Sequence, residues 1–427
     1  MDNALRQYRL YRVLRTGFPI LFGVFRYQWL RFRRCLPGIK PSPQAWEKAH
    51  RKTGETLYNL AVGLGGAYVK CGQMMGSRAD FFPAALLEPL RGLQDSVPAR
   101  PFSVFQAHVS KELGRSTDEV FSKIEEQPLA AASLAQVHRA TTSAGREVIL
   151  KIQYPEARKL FPLDLKIFRF VVHLVRILHW GLDLRHLAEE VARFVELELD
   201  FVREAESTER VRQAIDGKWE GTVRVPRVIE HSQRVLVLEH MAGVPISRAR
   251  EHEGVDLQDL AERVADVFCW MIFKLGFFHG DPHPGNILVA DDGTISVLDF
   301  GLAKELPEGF AEGMAALIVA GMKKDNPAIV EAAGRLGITI DEDGAKNFVP
   351  LVQGLMGQYA EHRETFESVR RSLGEIPGHF ILIARTLVLL NGLSHTLAPG
   401  KRLVAKHVMG KLAPIVAAHH ASKEKDA

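Results

Sequence analysis

The order of strand-like and helical segments is the feature that most constrains the fold of this chain. Strand-like runs come in pairs around polar turns, first in "QVHRATTSAGREVILKI" and then in "VRVPRVIEHSQRVLVLEHMAG". A third hairpin is predicted in "NILVADDGTISVLDFG", with Asp-Asp-Gly at its turn. Long helical stretches precede, separate and follow these pairs. Because the strands cluster rather than alternate with helices, we predict an α+β fold with two lobes.

Changes of pattern along the chain divide it into four predicted segments. Residues 1–43 form a basic amphipathic segment that ends in the linker "CLPGIKPSP", and residues 44–125 form a helical extension. Residues 126–241 hold the first two strand pairs and form a small β-rich lobe. Residues 242–427 are predicted to form a larger, mainly helical lobe around the third hairpin.

Composition excludes several classes of protein. The net charge of +4 is too small to indicate nucleic-acid binding, and none is expected. The three cysteines form no Cys-x-x-Cys pair, which argues against a disulfide scaffold or structural zinc and suits a reducing compartment. The most apolar run, "HFILIARTLVLLNGL", is interrupted by Arg385, and we predict that it forms a buried helix.

The N-terminal stretch interleaves arginines with large apolar side chains. Arg6, Arg9 and Arg12 recur at every third position, close to one face of a helix. Such a basic amphipathic segment can lie in an anionic membrane interface. The alternative is a helix that packs its apolar side on the domain and leaves its arginines in water.

The octapeptide "HGDPHPGN" at residues 279–286 is the densest cluster of chemically active side chains. Five residues separate Asp281 from Asn286, and Asp299 follows thirteen residues later in "LDFG". One interpretation makes His279, Asp281 and His283 ligands of a hydrolytic zinc ion. It leaves Asn286, Asp299 and Lys151 unexplained, and we expect His279 to support the loop from within.

A second interpretation explains all of these residues as parts of a phosphoryl-transfer site. In such sites a strand lysine neutralises phosphates, a helix glutamate holds that lysine, and oxygen ligands bind Mg²⁺. Lys151 ends the strand "EVILK", and "ELELDFVREAE" supplies helical acids. On one regular helix over 185–215, Asp200 and Glu204 would share a face. The order of these parts favours a nucleotide and Mg²⁺ as ligands.

The motifs together resemble those of the UbiB/AarF family of atypical protein-kinase-like proteins. "KCGQ" resembles its KxGQ motif, and "AAASLAQVHRA" resembles the alanine-rich loop that replaces a glycine-rich loop. "ELDFVREAE" resembles its ExD motif. "FFHGDPHPGNILV" and "VLDFGLAKEL" resemble its catalytic and metal-binding stretches. The resemblance covers roughly residues 45–400 and implies a protein-kinase-like fold with a helical N-terminal extension packed over the active-site cleft.

The resemblance also implies a role for each matching residue. Asp281 would be the catalytic aspartate, Lys151 the phosphate lysine with Glu204 as its partner, and Asn286 and Asp299 the Mg²⁺ ligands. The remaining nucleotide-site residues would be the covering loop Ala130, Ala131, Ala132 and Ser133, the hinge residues Glu239 and Met241, and the KxGQ and ExD residues Lys70, Gln73, Glu198 and Asp200.

The function implied is Mg²⁺-dependent ATP binding with slow hydrolysis, or transfer to a small or lipid-like acceptor. The resemblance points toward isoprenoid-lipid metabolism, particularly ubiquinone biosynthesis, with lipid-biosynthesis enzymes as partners. The expected location is the cytoplasm, with peripheral contact on the inner face of a membrane. Two alternatives stay open: a protein kinase acting in trans, against which the missing Ala-Pro-Glu sequence argues, and a nucleotide-sensing scaffold without turnover.

Overall fold

The computed structural model describes residues 2–36, 40–76, 82–94, 99–178, 184–219, 221–251, 255–340, 342–357 and 377–410. The chain divides into two compact units. The first comprises Met1–Val202 with Ile229–Glu239, and the second comprises Arg203–Val228 with His240–Ala427. The finer division into four segments stays a prediction.

Helices dominate the first part of unit 1. Ser42 caps the second helix by accepting a hydrogen bond from the Ala45 amide at 3.2 Å. The helix ends at Leu64, and the two glycines that follow, Gly65 and Gly66, adopt positive φ values that other residues rarely tolerate. The helices of this unit are α1 (Asp2–Cys35), α2 (Pro43–Leu64), α3 (Ala67–Gly76), α4 (Ala84–Arg91), α5 (Gln106–Leu113), α6 (Thr117–Val120), α7 (Ala157–Leu178) and α8 (Arg185–Glu198).

A six-stranded sheet forms the rest of unit 1, and it contains the first two predicted strand pairs. Its strands lie in the order β1-β3-β4-β7-β6, with β2 paired to β3. Alternate residues of β4, including Val148 and Leu150, are buried in the core, whereas Ile149 and Lys151 face the other side. The strands are β1 (Phe121–Ile124), β2 (Ala130–Ala131), β3 (Ala135–Thr142), β4 (Glu147–Gln153), β6 (Val228–His231) and β7 (Val235–Glu239).

Residues 185–215 are helical as predicted, but they do not form the one regular helix that a shared face for Asp200 and Glu204 would require. The chain leaves helical geometry at Leu199, and a new helix, α9 (Phe201–Ile215), begins directly after Asp200. The Leu199 carbonyl accepts hydrogen bonds from Gln153 Nε2 at 2.9 Å and Arg158 Nη2 at 2.7 Å. These distant side chains satisfy a carbonyl that a continuous helix would bond internally, so Asp200 and Glu204 do not share one helix.

Unit 2 is built around helices with two small sheets. The third predicted hairpin is confirmed as β10 paired antiparallel to β11, inside a sheet of order β5-β11-β10-β8, and β9 pairs with β12. Its further helices are α10 (Leu257–Trp270), α11 (Phe310–Lys323), α12 (Asn326–Arg335), α13 (Glu342–Leu355) and α14 (Gly378–Leu397). Its strands are β5 (Val223–Arg224), β8 (Val244–Pro245), β9 (Phe277–Phe278), β10 (Ile287–Val289), β11 (Ile295–Val297) and β12 (Lys304–Glu305).

Helix α14 contains the apolar run that Arg385 interrupts. Among the described residues it is the one helix long and apolar enough to cross a bilayer, with a mean hydropathy of 1.5, and half of that stretch is buried within the fold. Phe380, Ile383 and Leu387 lie on its buried side in the core of unit 2. The expected buried helix is therefore present, with one side packed and the other accessible.

Candidate functional site

Two strand pairings bring "HGDPHPGN" and "LDFG" together within unit 2. Strand β9 precedes the octapeptide, and Phe278 pairs with Lys304 of β12, just after "LDFG". Strand β10 follows the octapeptide, and Ile287 pairs with Val297 of β11. Both sequence motifs are thus fixed at the ends of paired strands, which explains why their spacing along the chain matters.

Backbone hydrogen bonds tie the two motifs directly. The Leu298 amide donates to the Asn286 carbonyl at 2.8 Å. Gly280 lies so close to the other motif that a Cβ atom there would stand 2.7 Å from the Leu302 carbonyl oxygen. A residue with a side chain would push the loop outward, so this glycine permits the close approach.

His279 supports this arrangement from within, as predicted. It is fully buried, its Nε2 contacts the Leu298 carbonyl at 2.8 Å, and its Nδ1 accepts from the Asp281 amide at 3.0 Å. Burial lowers the pKa of His279, and this effect outweighs the Asp281 and Asp299 carboxylates, whose charges raise the pKa. Both ring nitrogens of the neutral imidazole are engaged, which contradicts the zinc interpretation.

Asp281 and Asn286 are held at the two ends of the loop. The Asp281 carbonyl accepts from the His283 amide at 2.7 Å and from Asn286 Nδ2 at 3.2 Å. His283 itself is exposed, and its Nδ1 accepts from the Gly285 amide at 3.2 Å. Because the Asn286 Nδ2 atom donates a hydrogen bond within the loop, the Oδ1 atom of the same side chain is the one suited to bind a ligand.

Asp299 has an unusual backbone conformation. Its φ is +50°, in the left-handed region, and it is one of two residues other than glycine with positive φ among those described. Its Oδ1 accepts from the Gly301 amide at 3.2 Å. Non-glycine residues adopt this conformation at an energetic cost and cluster at functional sites, so the strain itself marks Asp299 as a candidate.

Helix α9 places two charged side chains beside this turn. A Cβ atom on Gly301 would stand 3.2 Å from Asp299 Oδ1 and 3.5 Å from Glu204 Oε2, so both carboxylates flank Gly301. Glu204 is only 2% exposed. Arg203 donates from Nη1 to the Gly301 carbonyl at 3.3 Å and from Nη2 to the Ala303 carbonyl. Arg203 therefore anchors the backbone after Asp299, a role that nothing in its sequence pattern indicated.

Arg385 is a second site residue that lies outside the sequence motifs. From α14 it donates from Nη2 to Asp281 Oδ1 at 3.3 Å. Its signal was present in the sequence as the lone charge in an apolar run. The Arg385 side chain is partly exposed, and Asp281 is its polar partner on the protein side.

Unit 1 holds all but one of the remaining candidate site residues, beginning with Lys151. Lys151 is opposite Val137 of β3 and Leu236 of β7, and its Nζ lies 5.2 Å from the centre of the Phe201 ring. Glu239 ends β7 opposite Val148. Met241, two residues on, is 5% exposed and belongs to unit 2.

The alanine-rich segment forms a tight hairpin on the same sheet. Ala130 pairs with Val137 and Ala131 with Gln136, and the Ala132 amide donates to the Ala135 carbonyl at 2.8 Å. Ser133, at the turn, is 5% exposed. Since Val137 also pairs with Lys151, the register places Ala130 two strands away from Lys151 across β3.

The KCGQ residues lie on α3, also in unit 1. Lys70 Nζ forms an ion pair with Glu198 Oε1 at the end of α8, with both side chains about four-fifths buried. Gln73 Nε2 donates to the Leu93 carbonyl at 3.0 Å. The structure thus brings Lys70 and Glu198 together, while Asp200 occupies the break between α8 and α9.

The donor set in unit 2 fits a hard divalent cation. Asn286 and Asp299 offer amide and carboxylate oxygens, the ligands that Mg²⁺ prefers. The pairing of Ile287 with Val297 and the bond from Leu298 to Asn286 put these two residues at one end of the hairpin. Among the described residues, no three His, Cys, Asp or Glu side chains group as a metal cluster.

Comparison with known proteins shows a relationship over most of the chain. Residues 92–333 match the ABC1 atypical kinase-like domain. AarF domain-containing protein kinase 1 of Gallus gallus is 30% identical over 376 residues, which cover 86% of this chain and 70% of that protein. ACTIVITY OF BC1 COMPLEX KINASE 7, chloroplastic, of Arabidopsis thaliana is 30% identical over 367 residues, covering 82% of this chain and 52% of that protein.

A solved structure supports the same relationship. The structure of Rv3197 from Mycobacterium tuberculosis, in complex with erythromycin, is 25% identical with a TM-score of 0.55, and the match covers 84% of this chain and 98% of that one. The chain spans only about half the length of the Arabidopsis relative. The fold is protein-kinase-like α+β with a helical N-terminal region, and the domain match covers more than half of the sequence. The chain therefore belongs to the ABC1 family of atypical kinase-like proteins, the UbiB/AarF family.

Proposed function

We propose that this protein binds Mg-ATP and either hydrolyses it slowly or transfers its γ-phosphoryl group to a small or lipid-like acceptor. The observation that carries the proposal is the arrangement of two strand pairs in unit 2, β9 with β12 and β10 with β11. These strands hold Asp281 and Asn286 in the loop before β10, and they hold Asp299 just after β11, at the same end of the hairpin. Phosphoryl transfer needs little covalent chemistry from the protein and depends on positioning and charge neutralisation, which such an arrangement supplies.

Each residue has a distinct role in this proposal. Asn286 and Asp299 would hold Mg²⁺ through their oxygens, and the ion would neutralise charge on the phosphates. Asp281 would orient the attacking hydroxyl or water and accept its proton. Lys151 would bind the phosphates with Glu204 as its partner. Around the nucleotide would lie the alanine-rich turn, the backbone at Glu239 and Met241, and the side chains Lys70, Gln73, Glu198 and Asp200.

The identity of the acceptor rests on family resemblance rather than on geometry. We propose an isoprenoid-type lipid, in support of ubiquinone biosynthesis at a membrane surface and alongside lipid-biosynthesis enzymes. Members of one fold act on different substrates, so the acceptor must be identified by experiment.

The test is turnover of γ-labelled ATP with Mg²⁺, with label traced into free phosphate, protein and lipid extract. Asp281→Asn should lower kcat by about 100-fold or more while nucleotide affinity persists. Asp299→Asn should weaken nucleotide binding measured in Mg²⁺ but not in EDTA. Asp291→Asn, at the turn of the same hairpin, is the matched control and should resemble wild type.

The distribution of label decides between the alternatives. Label in the lipid extract names a lipid kinase, and release as phosphate alone names an ATPase. Label on added proteins would revive the protein-kinase alternative. If wild type and Asp281→Asn both bind nucleotide without turnover, the enzymatic proposal fails and a nucleotide-sensing scaffold replaces it.

A further inference from the structure

One arginine of helix α1, Arg12, differs from both expectations, which left the arginines of this segment exposed. Arg12 is 1% exposed and faces inward, donating from Nε and Nη2 to Asp164 at 2.8 and 2.6 Å and from Nη1 to the Leu64 carbonyl at 2.9 Å. Thr16, one turn later, is also buried and contacts the Tyr68 hydroxyl at 2.8 Å. Polar side chains therefore help to hold α1 against the rest of unit 1, together with the buried Val24 and Leu30.

The opposite face of α1 is apolar and exposed. Five aromatic side chains, each more than half exposed, recur at intervals of three or four residues: Phe18, Phe22, Phe25, Trp29 and Phe32. This spacing places them on one side of the helix, along about 21 Å of its length. Exposed apolar stripes of this extent mark interaction surfaces, because scattered single residues would not align.

The charges of α1 indicate which kind of partner would bind the aromatic stripe. The helix carries eight arginines and a single acidic residue, Asp2. Arg15 precedes the aromatic stripe and Arg33 and Arg34 follow it, all exposed. Arginines bordering aromatic side chains suit an interface in which rings enter the acyl boundary and guanidinium groups meet anionic headgroups.

A second copy of the chain fits this surface less well. Two such stripes packed together would bring arginine-rich segments close to each other with almost no acidic residues on α1 to compensate them. Like charges brought together at an interface cost free energy. Anionic headgroups offer the complementary charge instead.

We propose that the stripe Phe18–Phe32 is a docking face for an anionic lipid bilayer, with α1 lying in the plane of the interface. The proposal deepens the membrane-surface part of the proposed function. It does not depend on turnover, because it concerns side chains outside the candidate active-site residues.

The test is flotation of the full chain with vesicles of phosphatidylcholine, alone or mixed with anionic phosphatidylglycerol. Wild type should float with the mixed vesicles and less with the neutral ones. The triple variant Phe18→Gln/Phe22→Gln/Phe25→Gln should show at least a tenfold lower partition coefficient, since each ring loses its burial in lipid. Its helix content and urea unfolding should match wild type because the three side chains are exposed.

Further variants separate charge from apolar contact and docking from catalysis. Arg33→Gln/Arg34→Gln should reduce the preference for anionic vesicles. Arg51→Gln, an exposed arginine of α2 paired with Glu88, should not. Asp281→Asn should float like wild type, so loss of turnover and loss of docking are distinguishable.

Two results would overturn the inference. One is unchanged vesicle binding by the triple variant, which would place the lipid contact elsewhere. The other is a wild-type dimer in sedimentation that becomes a monomer in the triple variant without any vesicle binding, which would show that a second copy covers the stripe.

Discussion

Arg385 of α14 donates from Nη2 to Asp281 Oδ1 at 3.3 Å, so the candidate catalytic carboxylate is paired with the lone arginine of an apolar helix. The pair joins two features that are 104 residues apart in the sequence. A carboxylate that must orient an acceptor hydroxyl benefits from being held in one rotamer, and an arginine on a packed helix supplies that constraint.

We expect Arg385→Met to lower kcat by about 100-fold with little change in KM for ATP, because misplacing a positioning group by about 1 Å costs that much. Arg385→Lys should recover part of the loss, since the charge remains without the planar fork. The matched control is Arg250→Met. Arg250 also docks on the α14 helix, by donating to the Thr396 carbonyl at 2.7 Å, away from Asp281. Equal losses in both variants would indicate a general packing defect.

Arg203 gives a second prediction for the turn after Asp299. Arg203→Met removes the donors that bind the Gly301 and Ala303 carbonyls, so Asp299 should lose its fixed position. Supporting residues of metal ligands typically contribute about 10- to 100-fold to affinity or activity, and we expect a loss of that size in the Mg²⁺ dependence of turnover. Arg210→Met is the control, because Arg210 lies on the same helix and pairs with the exposed Glu305 at 2.7 Å.

Local patterns predicted the strand pairs because their signals lie in neighbouring residues. The alternation of β4 and the Asp-Asp-Gly turn of the third hairpin required no distant contacts. The supporting role predicted for His279 is also confirmed, because its buried ring contacts the Leu298 carbonyl and accepts from the Asp281 amide. The sequence therefore predicted the hairpins and the residue that supports the octapeptide loop from within.

Features that depend on distant partners escaped prediction. The helix break at Leu199 is stabilised by Gln153 and Arg158, more than 40 residues earlier. The burial of Arg12 depends on Asp164, which is 152 residues away. Helical periodicity identifies which residues share a face but not which face turns inward when both carry apolar and basic side chains.

The Lys70–Glu198 ion pair should couple α3 to α8 energetically. A double-mutant cycle with Lys70→Met and Glu198→Gln, measured by urea unfolding, should give a coupling of about 1 kcal/mol, at the upper end for pairs that retain some solvent contact. The exposed pair Arg169–Glu189 between α7 and α8 is the control and should couple more weakly. A coupling of zero for Lys70 and Glu198 would mean that other packing alone joins the two helices.

The buried pair Arg12–Asp164 should be essential for docking α1. Arg12→Met leaves the Asp164 carboxylate buried without its partner, and such losses cost about 3–5 kcal/mol in the free energy of unfolding. The double variant Arg12→Met/Asp164→Leu should recover most of this loss, because both charges are removed together. Arg51→Met, which breaks an exposed pair, should change stability little. A double variant as unstable as Arg12→Met would show that the hydrogen bond to Leu64 matters more than the charge pair.

His138 should make unit 1 less stable in mild acid. It is fully buried, its Nδ1 contacts the Glu125 carbonyl at 2.8 Å, and its Nε2 contacts Gln136 Nε2 at 2.8 Å. Burial lowers the pKa of His138 below its ordinary value of 6.5, and a proton on Nε2 would face the amide donors of Gln136. The unfolded chain therefore binds a proton that the folded chain does not, so stability is full above about pH 6.5 and falls below it, by up to about 1.4 kcal/mol per pH unit.

Because other histidines also titrate, the comparison is between wild type and His138→Asn, which keeps a donor near the Glu125 carbonyl. Urea unfolding at pH 7.5 and 5.5 should show a smaller loss of stability on acidification for His138→Asn than for wild type. Equal losses would mean that His138 is protonated in the folded state.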